Sequence, residues 1–237
     1  MDWKAVLFDM DGVLYDSMPS HAEAWAAVMA KHGYRFSRED AYLNEGRTGA
    51  ATIRLVCERE GISLSEREIE ALYDEKMTYF RSLPAPGAIP GVYDLLKKVT
   101  EAGLEIMVVT GSGHADLTDR LNRTFPGIAF RRDRMITAFD VTHGKPHPEP
   151  YLMALDWGGW RPWEAIAVEN APLGIASALA AGLFTIAVNT GPLPDACLLE
   201  AGAHLLFHTM AELAGYREEL AAGFLSVKTP NAGSAQR

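Results

Sequence analysis

The stretch Lys4-Ala5-Val6-Leu7-Phe8-Asp9-Met10-Asp11-Gly12 decides how the rest of the chain is read. Ala5 to Phe8 form a short apolar run suited to a buried strand, and two carboxylates follow it directly. Two positions apart on an extended chain, Asp9 and Asp11 face the same side. Such a pair can share a hard cation, leaving one member free to attack an electrophile that the cation orients. By itself an Asp-x-Asp pair is equally a turn or a helix cap, because Asp serves both.

Working outward, similar apolar runs recur at Glu105 to Val109, Ala165 to Val168, Phe184 to Val188 and His204 to Phe207, separated by helix-like stretches. Strands that alternate with helices point to an α/β fold with a parallel sheet. Between the first two runs, residues 17–83 are patterned as helix throughout, which reads as an inserted helical cap. The core is then discontinuous, 1–16 and 84–228, and the apolar-poor tail 229–237 is expected to be disordered. Ser20-His21-Ala22-Glu23 and Ser65-Glu66-Arg67-Glu68 both fit a capping box, with helices running to about Lys31 and Arg81. Tyr15 to Ser17 is the outgoing hinge, and Leu83-Pro84-Ala85-Pro86-Gly87 the return.

Composition narrows the function classes. The 237 residues are 48% hydrophobic and 22% charged, ordinary for a soluble globular protein. A formal net charge of -9 disfavours nucleic-acid binding, which needs clustered Lys and Arg. No apolar run reaches membrane-spanning length and no secretory signal opens the chain, so the expected compartment is the cytoplasm; the sequence leaves the oligomeric state open, a monomer included. Cys57 and Cys197 are too few for a disulfide framework or a zinc knuckle.

In an open α/β sheet ligands bind beyond the strands' C-terminal ends. There lie Asp9 and Asp11 after the first run, Thr110-Gly111-Ser112-Gly113 after the second, and Glu169 and Asn170 after the third, with Lys145 in the loop His143-Gly144-Lys145-Pro146-His147-Pro148. Each has a plain structural alternative: a strand-to-helix turn for Thr110 to Gly113, a helix cap for Glu169 and Asn170, a solvated lysine for Lys145. Their convergence on one sheet edge is what singles them out. His143 and His147 are four apart, but Pro146 and Pro148 deny them a helix, so they are expected to shape the loop rather than bind zinc.

Asp9-Met10-Asp11-Gly12-Val13, Val108-Val109-Thr110-Gly111-Ser112, Lys145-Pro146 and Val168-Glu169-Asn170, in this order, resemble the four motifs of the haloacid dehalogenase superfamily. The resemblance implies a Rossmann-like parallel-sheet core, and the helical insertion is similar to the cap of its β-phosphoglucomutase-like branch. Asp9 would then be the nucleophile that forms an aspartyl-phosphate, and Asp11 the acid that protonates the leaving group and then activates water. Mg²⁺ would be held by Asp9, the Asp11 carbonyl and a side chain of the Glu169-Asn170 pair. Thr110, Gly111, Ser112 and Lys145 would hold the remaining phosphoryl oxygens.

The chain departs from that branch in two places. Its fourth motif is Glu169-Asn170 where Glu-Asp is common, so one negative charge is missing, and Glu45 is a candidate replacement metal ligand, or else a solvated loop residue. In the branch's mutases a lysine stands where Glu45 falls and an arginine where Gly49 falls. His21 and Lys76 match cap positions of the mutases and should face the cleft, with Arg47 restoring some positive charge; His21 could instead pack against Trp25. A carboxylate at Glu45 repels a bare distal phosphate and suits a metal-bridged anion. The Glu-Asn motif resembles a subgroup that includes an inorganic pyrophosphatase. The expected substrates are therefore pyrophosphate first, small phosphorylated metabolites second, and β-phosphoglucomutase-type interconversion third. A dehalogenase would not need Asp11, an Asp-x-Asp glycosyltransferase would not need Lys145-Pro146, and a non-catalytic phosphate-binding module remains an alternative of another class.

Overall fold

Strand β1 (Ala5–Phe8) is buried along its whole length, at the centre of a six-stranded sheet. The structure, a computed structural model, describes residues 3–113 and 116–216. Four helices follow β1: α1 (Met18–Lys31), α2 (Arg38–Leu43), α3 (Gly49–Glu60) and α4 (Glu66–Ser82). The chain continues through α5 (Val92–Glu101), β2 (Glu105–Val109), α6 (Leu117–Thr124), β3 (Met135–Ile136), α7 (Glu149–Gly158), β4 (Ala165–Glu169), α8 (Pro172–Ala180), β5 (Phe184–Val188), α9 (Asp195–Glu200), β6 (Leu205–Phe207) and α10 (Met210–Gly215).

The strand order is β3-β2-β1-β4-β5-β6, all parallel, with Phe8 paired to Val108 on one side and Val168 on the other. Side chains alternate across the sheet: Val6 and Phe8 join α5, α6 and α10 in one core, while Ala5 and Leu7 join α7 and α8 in another. Burial on both faces explains why β1 and β4 read as unbroken apolar runs. The connections reverse direction between β1 and β4, which opens a crevice at their C-terminal ends.

α1–α4 share their own apolar cluster around Trp25, Met29, Phe36, Ile53, Val56 and Ile69. The chain leaves and re-enters the sheet side by side: the Asp16 amide donates to the Gly87 carbonyl at 2.9 Å and the Ile89 amide to the Leu14 carbonyl at 3.0 Å. The Ser65–Glu68 capping box is present at the start of α4.

Three expectations need correction. The Ser20 capping box does not form, because α1 begins earlier, at Met18, and Ser20 lies inside its first turn. β3 was not anticipated, since a two-residue strand leaves no period to read. Residues 9–15 are not extended: the Leu14 and Tyr15 amides turn back to the Met10 carbonyl, and Gly12 takes a φ of 79°. The expected tail, 229–237, lies outside the described residues.

Candidate active site

Asp9 leaves β1 with its amide still in the ladder, donating to the Val168 carbonyl at 3.0 Å. Its buried carboxylate meets Lys145, whose Nζ donates to Asp9 Oδ1 at 2.5 Å, to Glu169 Oε1 at 2.6 Å and to the Val109 carbonyl at 2.9 Å. One ammonium therefore ties the ends of β1, β2 and β4 together. Tyr151 of α7 donates to the same Glu169 oxygen, and a Cβ on Gly174 would lie 2.1 Å from Glu169 Oε2, so α8 packs directly on that carboxylate. Glu169 is thus committed to Lys145 and Tyr151.

Asp11 sits on the turn after β1 with a different set of partners. Ser17 Oγ donates to its Oδ1 at 2.5 Å, Ser112 Oγ donates to its Oδ2 at 2.6 Å, and His21 Nε2 lies 3.3 Å from Oδ1. Thr110 Oγ1 accepts from the Ser112 amide at 3.0 Å, which shapes the turn that presents Ser112. A Cβ on Gly111 would stand 2.5 Å from the Gly46 carbonyl oxygen, so this turn touches the loop between α2 and α3.

That loop brings in Glu45, buried, which accepts from Asn170 Nδ2 at 2.9 Å; Asn170 Oδ1 is buried with no hydrogen-bond partner among the described residues. A Cβ on Gly12 would fall 2.0 Å from Asn170 Nδ2, so the glycine is needed both for its backbone and for this approach. Arg47 Nε donates to Asn44 Oδ1 at 3.1 Å. From the helices, His21 stacks on Phe80 with centroids 4.2 Å apart, and its Nδ1 lies 2.7 Å from Lys76 Nζ. His21 thus links the two, with Nδ1 toward Lys76 and Nε2 toward Asp11.

Burial pushes Asp9 up to about 8 against the pull of Lys145, with Glu169 and Asp11 adding to the rise. Burial also acts on Asp11, but His21 and the two hydroxyl donors outweigh it and hold this carboxyl well below the usual range. Glu45 is raised well above its ordinary value by burial, then by Asp9. Lys145 stays above the ordinary lysine range, since Asp9 and Glu169 overcome its burial. Lys76, walled by apolar groups, is lowered by burial to about 7.

A cavity of about 60 Å³ lies between the helical insertion and the sheet edge. Asp9, Asp11, Thr110, Gly111, Ser112, His21, Glu45, Arg47 and Lys76 all line it, so the sequence-derived candidates from both segments converge. Lys145, Glu169 and Asn170 form the layer behind. Sequence reading missed Ser17, Tyr73 and Tyr151. Tyr73 had a signal, as it precedes Lys76 by three residues and shares its helix face. Ser17 had been read only as hinge, and nothing in the sequence joined Tyr151 to Glu169.

The profile of the haloacid dehalogenase-like hydrolases matches residues 3–182. Hexitol phosphatase A of Escherichia coli is 32% identical over 191 residues, 80% of this chain and 84% of that protein. The phosphorylated carbohydrates phosphatase of Thermotoga maritima is 30% identical over 84% of this chain and 92% of its own length. The solved structure of a candidate β-phosphoglucomutase from Bacteroides vulgatus is 55% identical, covers 93% of this chain and 90% of its own, and superposes with a TM-score of 0.89. Sequence, strand order and relatives agree: the chain belongs to the haloacid dehalogenase-like hydrolases.

Proposed function

We propose that this chain is a magnesium-dependent phosphohydrolase that works through an aspartyl-phosphate on Asp9, with inorganic pyrophosphate as its first substrate. The observation that carries the reading is that Asp9 and Asp11 line one cavity yet share no hydrogen-bond partner among the described residues. One carboxylate is clamped by an ammonium, the other by hydroxyls and an imidazole, as separate chemical jobs require.

Asp9 attacks phosphorus and the bridging P–O bond breaks, with the departing phosphate taking a proton from Asp11. Water then attacks the phosphorus of the aspartyl-phosphate and gives its proton to Asp11, and Asp9 is restored. Asp11 is a carboxylate before substrate enters. An anion in the cavity raises its proton affinity, the direction in which an acid role must move it. Lys145 offsets the repulsion between Asp9 and the phosphoryl group, and Thr110, Ser112 and the Gly111 turn orient the phosphoryl oxygens. Helices α1–α4, residues 17–83, act as the cap that excludes water.

The donor set suits a hard divalent cation. Asn170 Oδ1 is a buried acceptor with no hydrogen-bond partner among the described residues, and four carboxylates, Asp9, Asp11, Glu45 and Glu169, gather here with the basic side chains Lys145, Lys76 and Arg47. Asp9, the Asp11 carbonyl, Asn170 and Glu45 would hold Mg²⁺, which supplies charge neutralisation and polarises a phosphoryl oxygen. Glu169, engaged by Lys145, is the weaker candidate of its pair.

Pyrophosphate is favoured by the small cavity and by the basic side chains Lys76 and Arg47, which line it together with Glu45. Phosphate ester hydrolysis is the second reading, favoured by two relatives named as phosphatases of hexitols and of phosphorylated carbohydrates. Sugar-phosphate mutation is third, because Glu45 opposes a bare second phosphate. A magnesium-dependent phosphate-release panel with pyrophosphate, sugar monophosphates and an aryl phosphate decides among them. Pyrophosphate should rank first; a place among the poorest substrates overturns that choice and leaves the phosphohydrolase reading standing.

A further inference from the structure

Tyr73 of α4 lies against Gly49, the first residue of α3. A Cβ built on Gly49 would stand 2.1 Å from Tyr73 Cε2 and 2.2 Å from Cδ2. The ring therefore fills the volume that any side chain at position 49 would occupy. Tyr73 and Gly49 both line the cavity beside Asp9 and Asp11. The ring centroid is 6.3 Å from Trp25 and 5.9 Å from the Lys76 ammonium, and Phe36 extends the wall with its centroid 5.9 Å from Trp25. One side of the cavity is thus a packed aromatic wall of Tyr73, Trp25 and Phe36, with the Lys76 amine beside it.

The Tyr73 hydroxyl has no hydrogen-bond partner among the described residues. Burial, aided by the negative charge of Asp11, pushes the phenol up to about 12, so it remains a donor at any working pH. A donor on the wall of an anion-sized cavity, unclaimed by the protein, is available to a ligand.

We infer that Tyr73 sets the size limit of this site. Its ring closes the space beside Gly49 against the polyol of a sugar phosphate, and its hydroxyl donates to the distal phosphoryl group of a compact diphosphate. This deepens the phosphohydrolase reading and rests on it for the placement of the reacting phosphoryl group at Asp9. It gives Tyr73 a specificity role, with no part in bond making.

Calorimetric binding to the full chain with Mg²⁺, using imidodiphosphate and glucose 6-phosphate as probes, tests the wall without requiring turnover. Wild type should bind imidodiphosphate at least about tenfold more tightly than glucose 6-phosphate, and Tyr73→Leu should shrink that ratio about tenfold by admitting the sugar. Tyr73→Phe keeps the ring, so it should retain exclusion of the sugar while weakening imidodiphosphate about fivefold through the lost hydrogen bond. Leucine retains apolar packing, and a thermal melt of each variant confirms a folded chain. Two results overturn the inference: equal wild-type affinity for the two probes, or an unchanged ratio in folded Tyr73→Leu. Unchanged imidodiphosphate affinity in Tyr73→Phe removes the hydroxyl's part. Phosphate release from pyrophosphate is measured separately. A wild type that discriminates between the probes but releases no phosphate contradicts the proposed activity and leaves the role of Tyr73 intact.

Discussion

Asn170 donates its amide N–H to Glu45, 2.9 Å away, while its buried carbonyl oxygen has no hydrogen-bond partner among the described residues. The pair joins the end of β4 to the loop between α2 and α3, so a group bound at that acceptor is felt by both segments. A buried acceptor left unpaired costs about 1–3 kcal/mol, which a cation at this position would recover.

From this pair follows the first expected outcome. Glu45→Ala and Asn170→Ala should each raise the Mg²⁺ concentration for half-maximal phosphate release, by at least the roughly 10- to 100-fold that loss of an outer-shell partner costs a metal site. Magnesium titrations of purified variants measure it, and an unchanged requirement in Glu45→Ala removes Glu45 from the site.

Lys145 is the only cation hydrogen-bonded to Asp9 and Glu169 among the described residues. Lys145→Met should therefore abolish turnover and also destabilise the fold, by about 3–5 kcal/mol, because buried Asp9 and Glu169 lose the ammonium they share, with Tyr151 left as the remaining donor to Glu169. Urea unfolding in the absence of Mg²⁺ reads the second effect. A variant as stable as wild type would mean that Asp9 and Glu169 do not depend on the ammonium.

Lys76 gives a pH dependence whose sign can be worked out. Its folded value, about 7, lies below its ordinary 10.5. Below pH 7 both states carry the proton, and the buried ammonium destabilises the fold in full. Between about 7 and 10.5 the unfolded chain holds more protons, so stability rises with pH. Lys76→Met should accordingly be more stable than wild type at pH 6, with the advantage shrinking steadily by pH 9. Denaturant melts at pH 6, 7.5 and 9 test this, and a constant difference would contradict it.

Much of this was legible in the sequence, for identifiable reasons. β1, β2 and β5 were read with their observed bounds, because strands buried on both faces leave unbroken apolar runs. Asp9, Thr110 and Glu169 follow such runs directly, so the sheet edge could be assembled from chain order alone. Ser17 was hidden because it had been read only as hinge, and its hydroxyl reaches Asp11 across the turn that follows β1. β3 left no period, and the Tyr73–Gly49 contact joins two helices whose relative placement no local pattern encodes.

The central claim is that Asp9 carries the phosphoryl group. Acid-quenching the chain during turnover of ³²P-labelled pyrophosphate, with wild type and Asp9→Asn in parallel, tests it most directly. Covalent, hydroxylamine-labile label should appear on wild type and be absent from Asp9→Asn, which should release no phosphate while melting like wild type. Label on Asp9→Asn, or appreciable turnover by it, would contradict the account.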